Sequence, residues 1–184
     1  MIEQPWLKDL NWAASDRYLK KYYLMHYQRD AHEFDPTPGV HTLLGPRRVG
    51  KSTLFKLWIL SLLKKGTPPH EIGYLDAERF ESWQDLLRAI ESLPLKFLFI
   101  DEATAPKDWE RAIKVFVDQN SFAENCCLWL TGSNAFDLKN SGERLPGRRG
   151  VKLKFRDIAL LPLNIRQFFE VQKKHFPKLS HLQI

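Results

Sequence analysis

Two short stretches of this chain carry residue types that could handle a phosphate group and its metal. The first is Gly45, Pro46, Arg47, Arg48, Val49, Gly50, Lys51 and Ser52, followed by Thr53. The spacing G-x-x-x-x-G-K-S gives each fixed residue a chemical task. Gly45 and Gly50 have no Cβ, so the backbone can wrap closely around an anion. Successive N–H groups then form a concave nest for phosphate oxygens. Lys51 supplies a point charge for the β- and γ-phosphates, and the Ser52 hydroxyl is a ligand for Mg²⁺.

The second stretch is Phe97-Leu98-Phe99-Ile100-Asp101-Glu102. Four apolar residues followed by two acids describe a buried strand whose end opens into a crevice, where open α/β sheets take their ligands. Asp101 suits a carboxylate that holds Mg²⁺ through its water shell. Glu102 suits a general base that polarises an attacking water. A third polar group, Thr131-Gly132-Ser133-Asn134, ends another apolar run, either as a strand-terminating turn or as a contact for a terminal phosphate or that water.

These residues need elements to hold them. Val40–Leu44 reads as a short buried strand and residues 53–65 as a largely apolar helix ended by Gly66. Strand, loop and helix in that order aim a helix N-terminus at the anion. Residues 72–77 form a second strand, with Asp76 and Glu78 as its solvated end. Ser82 caps a helix carrying Trp83, Leu86, Leu87 and Ile90, with Asp85 at capping-box spacing. Pro106 opens a helix with Trp109, Ala112, Ile113, Phe116 and Val117 on one stripe. Residues 126–130 form a fourth buried strand, and 151–156 alternates as a half-buried edge strand. Asn164 caps a last helix carrying Ile165, Phe168 and Phe169.

Ahead of the first strand, Ser15 is a candidate cap for a helix bearing Leu19, Tyr22, Tyr23, His26 and Tyr27. That helix packs on the core or lines an adenine pocket. Trp6 and Trp12 precede it without clear periodicity. Residues 1–39 thus read as an N-terminal helical segment and linker, and 40–184 as the core domain.

The chain has 184 residues, 43% hydrophobic and 27% charged, enough for one α/β domain with a substantial core. Its two cysteines, Cys126 and Cys127, lie in an apolar run and suit buried strand positions in a reducing cytoplasm. The six histidines are scattered without metal-site spacing. There is no run of about 18 apolar residues, so no transmembrane helix is expected. The net charge is +6. Arg144, Arg148, Arg149, Lys152, Lys154 and Arg156 form a basic run without an intervening acid, either a solvated edge, a phosphate-directed arginine or a nucleic-acid surface.

The ordered set GPRRVGKS, FLFIDE, a strand ending LTGSNA, LPGRRG and LLPLNIRQFFE resembles the prokaryotic AAA+ ATPases of the GPRxVGKT type. Those proteins pair an N-terminal ATPase domain with a C-terminal domain of unknown function. The resemblance runs from about Thr42 to Glu170. It implies a P-loop three-layer αβα sandwich with a mostly parallel five-stranded sheet in the order 5-1-4-3-2. It makes Gly45, Gly50, Lys51 and Ser52 the Walker A set, and Asp101 and Glu102 the Walker B pair. Ser133 or Asn134 becomes the sensor position, and Arg148 a trans-acting arginine within a homo-oligomer. The helical lid usual in such proteins would begin where this chain ends, so the resemblance implies a core truncated before the lid, either a piece of a longer protein or a natural short form.

The expected activity is ATP binding and Mg²⁺-dependent hydrolysis that drives a conformational change. A small P-loop kinase and an ATP-binding, nucleic-acid-associated module without turnover are the alternatives. No N-K-x-D motif is present to read guanine.

Overall fold

The structure is a computed structural model that describes residues 4–9, 11–24, 33–93, 96–119, 125–132 and 157–169. Three short helices come first: α1 (Pro5–Lys8), α2 (Trp12–Ser15) and α3 (Arg17–Leu24). Strand and helix then alternate as far as the fourth strand: β1 (Gly39–Leu44), α4 (Lys51–Lys64), β2 (Ile72–Asp76), α5 (Trp83–Glu91), β3 (Phe97–Asp101), α6 (Trp109–Gln119) and β4 (Cys127–Thr131), and β5 (Asp157–Ala159) is the next strand described. A helical turn follows at 165–169.

All strand pairs are parallel, and the sheet order is β2-β3-β4-β1-β5. This is the expected order, read from the other edge. Every position of β3 and β4 is buried, as continuous apolar runs in the middle of a parallel sheet must be. The two-residue period then sorts their side chains by face. Leu98, Ile100, Leu128 and Leu130 face α5 and α6. Phe97, Phe99, Cys127 and Trp129 face α4 and the N-terminal helices. The sheet is therefore the middle of three layers. Both cysteines are buried free thiols, and burial pushes Cys126 up to about 12.

Helix α4 starts straight from Gly50, which sits at φ 106°. It ends at Gly66, at φ 87°, whose N–H donates to Leu63 O while Thr67 N–H donates to Leu62 O. Ser82 caps α5 as expected, its hydroxyl accepting from the Asp85 N–H.

Some local expectations change. Asp16 caps α3 in place of Ser15: its Oδ1 accepts from the N–H groups of Tyr18 and Leu19, while the Ser15 hydroxyl donates back to Trp12 O. Helix α6 begins at Trp109, after Pro106 and a left-handed Asp108 at φ 55°. The fifth strand is described at Asp157–Ala159, paired with the end of β1; the alternating stretch 151–156 lies outside the described residues. Trp6, Trp12 and Leu19 are fully buried in the same cluster as α4, so they pack the core, whereas Tyr22 is half-buried and Tyr23 exposed. His26 and Tyr27 lie outside the described residues.

Candidate active site

Three strand ends converge because β4 lies between β1 and β3. The loop 45–50 leaves β1, Asp101 ends β3 and Thr131 ends β4. The register sets Leu43 beside Thr131 and Ile100 beside Leu130, so these ends are level.

Gly45 is buried, and a Cβ there would lie 2.4 Å from the Leu160 carbonyl oxygen. Only glycine lets the chain after β5 cross this close. Gly50 is different: a Cβ there would meet nothing within 4 Å, so its need for glycine comes from its left-handed φ. Arg48 is also left-handed, at φ 63°, while its side chain and those of Pro46 and Arg47 are exposed. No side chain caps the start of α4. The loop therefore offers backbone amides at a helix N-terminus with open space above them, which is the donor set a phosphate needs.

Lys51 is buried at 4% exposure and donates to the carbonyls of Gly45 and Pro46 at 2.9 and 3.1 Å. Its ammonium lies 3.9 Å from a Glu102 carboxylate oxygen. Ser52 and Thr53 follow, half-buried, on the first turn of α4.

Asp101 is buried, and each of its oxygens takes one hydroxyl donor: Thr131 on Oδ1 at 2.7 Å and Tyr74 on Oδ2 at 2.9 Å. A carboxylate oxygen has room for more than one partner, so both retain acceptor capacity for the water shell of a cation. Among the described residues no group of three or more His, Cys, Asp or Glu side chains could hold a metal. An ion kept here would need most of its ligands from phosphate and water, which is the habit of Mg²⁺. Ser52 and Asp101 carry oxygen donors of the kind such an ion takes.

Glu102 sits at φ 48°, a left-handed conformation unusual for a residue with a Cβ. It is held there by β4: its N–H donates to the Thr131 hydroxyl at 3.1 Å, and the next N–H, of Ala103, donates to Thr131 O at 2.7 Å. Strain of this kind persists only where the surroundings over-determine it.

Ser133, Asn134 and Arg148, with the basic run at 144–156, lie outside the described residues. Thr131, read from sequence only as part of a polar strand end, instead anchors Asp101, Glu102 and Ala103. Tyr74 carries no signal in the sequence beyond its place in the second strand.

Beneath Tyr74 lies Lys56, buried and 3.5 Å from the ring centroid. Desolvation pulls its ammonium down to about 8, opposed by Asp16 at 3.9 Å and by the more distant Asp101 and Asp76. Burial, and then the charge of Asp101, push the Tyr74 phenol far above its ordinary range, so it remains a proton donor.

A sequence model described as an AAA domain matches residues 37–169. The chain belongs to the AAA domain family. This AAA domain is 28% identical over 157 residues to an uncharacterized protein of Haemophilus influenzae, covering 80% of the chain and 37% of that protein. Among solved structures it resembles a Walker-type ATPase of Pyrococcus abyssi, with 17% identity and a TM-score of 0.47 over 91% of this chain and 58% of the other. The chain thus spans little more than a third of the curated relative it matches. Among the described residues no helix is long and apolar enough to cross a membrane.

Proposed function

We propose that this AAA domain binds ATP with Mg²⁺ and hydrolyses it to drive a conformational change. The observation that carries the reading is the meeting of Lys51 and Glu102, 3.9 Å apart, at the ends of α4's loop and β3. A cation for phosphate and a carboxylate for water then share one crevice.

Each residue has a separate task. Lys51 exchanges its two carbonyl partners for phosphate oxygens, which are stronger, charged acceptors. The loop amides and the start of α4 complete the anion cradle. Ser52 and Asp101 would hold Mg²⁺, which would supply positive charge against the phosphates. Glu102 accepts the proton of the attacking water. Its carboxylate is about one-fifth exposed, so it is reachable from solvent yet close to the cation.

The test separates binding from hydrolysis. Lys51→Ala should abolish most ATP affinity in calorimetry, and an unchanged affinity refutes the phosphate assignment. Glu102→Gln should keep ATP binding while phosphate release falls by about 10²-fold or more. Phosphate release without an added acceptor also distinguishes hydrolysis from a kinase reaction. Because the chain covers a part of its curated relative, these measurements belong on the longest natural form as well.

A further inference from the structure

Asp101 is oriented from both sides, and the two sides are unlike. Thr131 belongs to β4 and is fully buried. Tyr74 belongs to β2, two residues before the strand position that pairs with Asp101. Its hydroxyl reaches diagonally across to Oδ2.

What distinguishes Tyr74 is the cation on its ring. Lys56 lies on α4, one helical turn beyond Ser52, and its ammonium sits over the phenol face. The other walls of its cage are the rings of Trp6 and Trp12, with centroids at 5.6 and 5.7 Å. Asp16, the cap of α3, is the carboxylate within ion-pair distance. A positive charge over a phenol withdraws electron density from the ring and makes the O–H a stronger donor. The order Asp16, Lys56, Tyr74, Asp101 is therefore an unbroken path from the N-terminal helices to the candidate metal carboxylate.

We propose that Tyr74 is a positioning residue for Asp101, and that the N-terminal segment 4–24 sets its strength by clamping Lys56 over the Tyr74 ring. This rests on the nucleotide reading above. The Tyr74 hydrogen bond fixes the plane of the Asp101 carboxylate, leaving its remaining lone pairs aimed for the water shell of Mg²⁺. Removing the hydroxyl frees that plane to rotate. Removing Lys56 or Asp16 leaves the bond in place but weakens it.

The experiment is calorimetry of ATP binding, first in excess EDTA and then across graded MgCl₂, on the parent and on Tyr74→Phe, Lys56→Met and Asp16→Asn. Tyr74→Phe keeps the ring and so the packing; Asp16→Asn keeps a residue able to cap α3. Tyr74→Phe should raise the Mg²⁺ concentration at half-effect about tenfold, in line with outer residues of other metal sites, with affinity in EDTA unchanged. Lys56→Met and Asp16→Asn should shift it the same way by successively less. A parent chain that binds no ATP overturns the nucleotide reading and this proposal with it. A parent that binds ATP with normal Mg²⁺ enhancement, beside a Tyr74→Phe curve that overlays it, overturns this proposal alone. An equal loss in EDTA and in Mg²⁺ also overturns it, since that is the mark of general damage. If Tyr74→Phe shifts the curve while Lys56→Met and Asp16→Asn do not, the N-terminal segment has no part in it.

Discussion

The face of the sheet beneath α5 and α6 is packed mainly by aliphatic side chains, among them Leu75, Leu86, Ile90, Leu98, Ile100, Ile113, Leu128 and Leu130. The face beneath α4 and the N-terminal helices is packed by Trp6, Trp12, Phe55, Trp58, Phe99 and Trp129. Phe34 adds a ring against Trp58, Phe97 and Phe99 at 5.6–5.8 Å. Among the described residues the aliphatic face encloses no charged group. The aromatic face encloses Lys56, and the indole N–H of Trp12 is buried there without a hydrogen-bond partner among the described residues. Such groups cost free energy that a wholly aliphatic layer avoids. The difference teaches that one face acts as scaffold, whereas the other accepts electrostatic cost and connects to the crevice through Tyr74.

The strongest way to break this comparison is to cut one large side chain from each face. Trp12→Ala should cost roughly 3–5 kcal/mol and Ile113→Ala roughly 2–5 kcal/mol in denaturant unfolding, since both leave cavities. If the faces differ as described, the similar losses separate in function. Trp12→Ala should shift the Mg²⁺ dependence of ATP binding, and Ile113→Ala should leave it in place under conditions where both remain folded. Equal behaviour in that measurement removes the distinction.

The second prediction concerns pH. Lys56 titrates near 8 in the folded chain and at 10.5 when free. Below about 8 both states hold the proton, and the full cost of burying the charge is present. Between about 8 and 10.5 the unfolded chain binds the extra proton, so Lys56 makes stability rise with pH. The gain over that window is about 3 kcal/mol. The charged groups that act on Lys56 are Asp16, Asp101, Asp76 and Arg79, and its ammonium lies against the Tyr74 ring. Lys56→Met should remove this rise, read as the difference between parent and variant unfolding midpoints at pH 8 and pH 10. A difference that does not change with pH shows that the ammonium is not desolvated.

The smallest effect sharpens the comparison from the aliphatic side. Ser82→Ala removes the cap of α5 and should cost about 1 kcal/mol. Chemical denaturation should detect it, and ATP affinity with or without Mg²⁺ should stay as in the parent. A shift in Mg²⁺ dependence here means that the scaffold face also tunes the site.

Much of this architecture was legible in the chain itself, for reasons tied to particular residues. FLFID and CLWLT are continuous apolar runs, so they belong in mid-sheet whatever surrounds them. Gly45, Gly50 and Lys51 announce their loop because few backbones need glycine at both points. The carboxylates Asp101 and Glu102 stand out because they follow four apolar residues. What stayed hidden depends on distance through space. Tyr74 looks like any half-buried strand aromatic until β2 and β3 are paired in register. Trp6 has no local periodicity because its partners lie on α4 and at the start of β2. Ser15 and Asp16 are both good caps, and the choice falls to Asp16 because Ser15 closes α2. Lys56 is hidden by its type: a lysine in a helix ordinarily points to water. The one signal for it was position, since it lies among Leu54, Phe55, Trp58 and Ile59 with no exposed face left on that turn.

A final consequence follows from the way the sheet ends at β2. An outermost strand leaves every second peptide group unmatched, a template on which another chain can grow. Here the carboxamide of Gln4 behaves as a counterfeit peptide: its Nε2 donates to Tyr74 O at 3.0 Å and its Oε1 accepts from Tyr74 N–H at 3.1 Å. The Trp6 indole closes the position two residues earlier, donating to Ile72 O at 3.3 Å. Two side chains thus impersonate a sixth strand without offering a further edge of their own. Without them the β2 edge would present unmatched peptide groups to other chains. Loss of the residues that cover this edge should therefore appear as association between copies at the β2 margin.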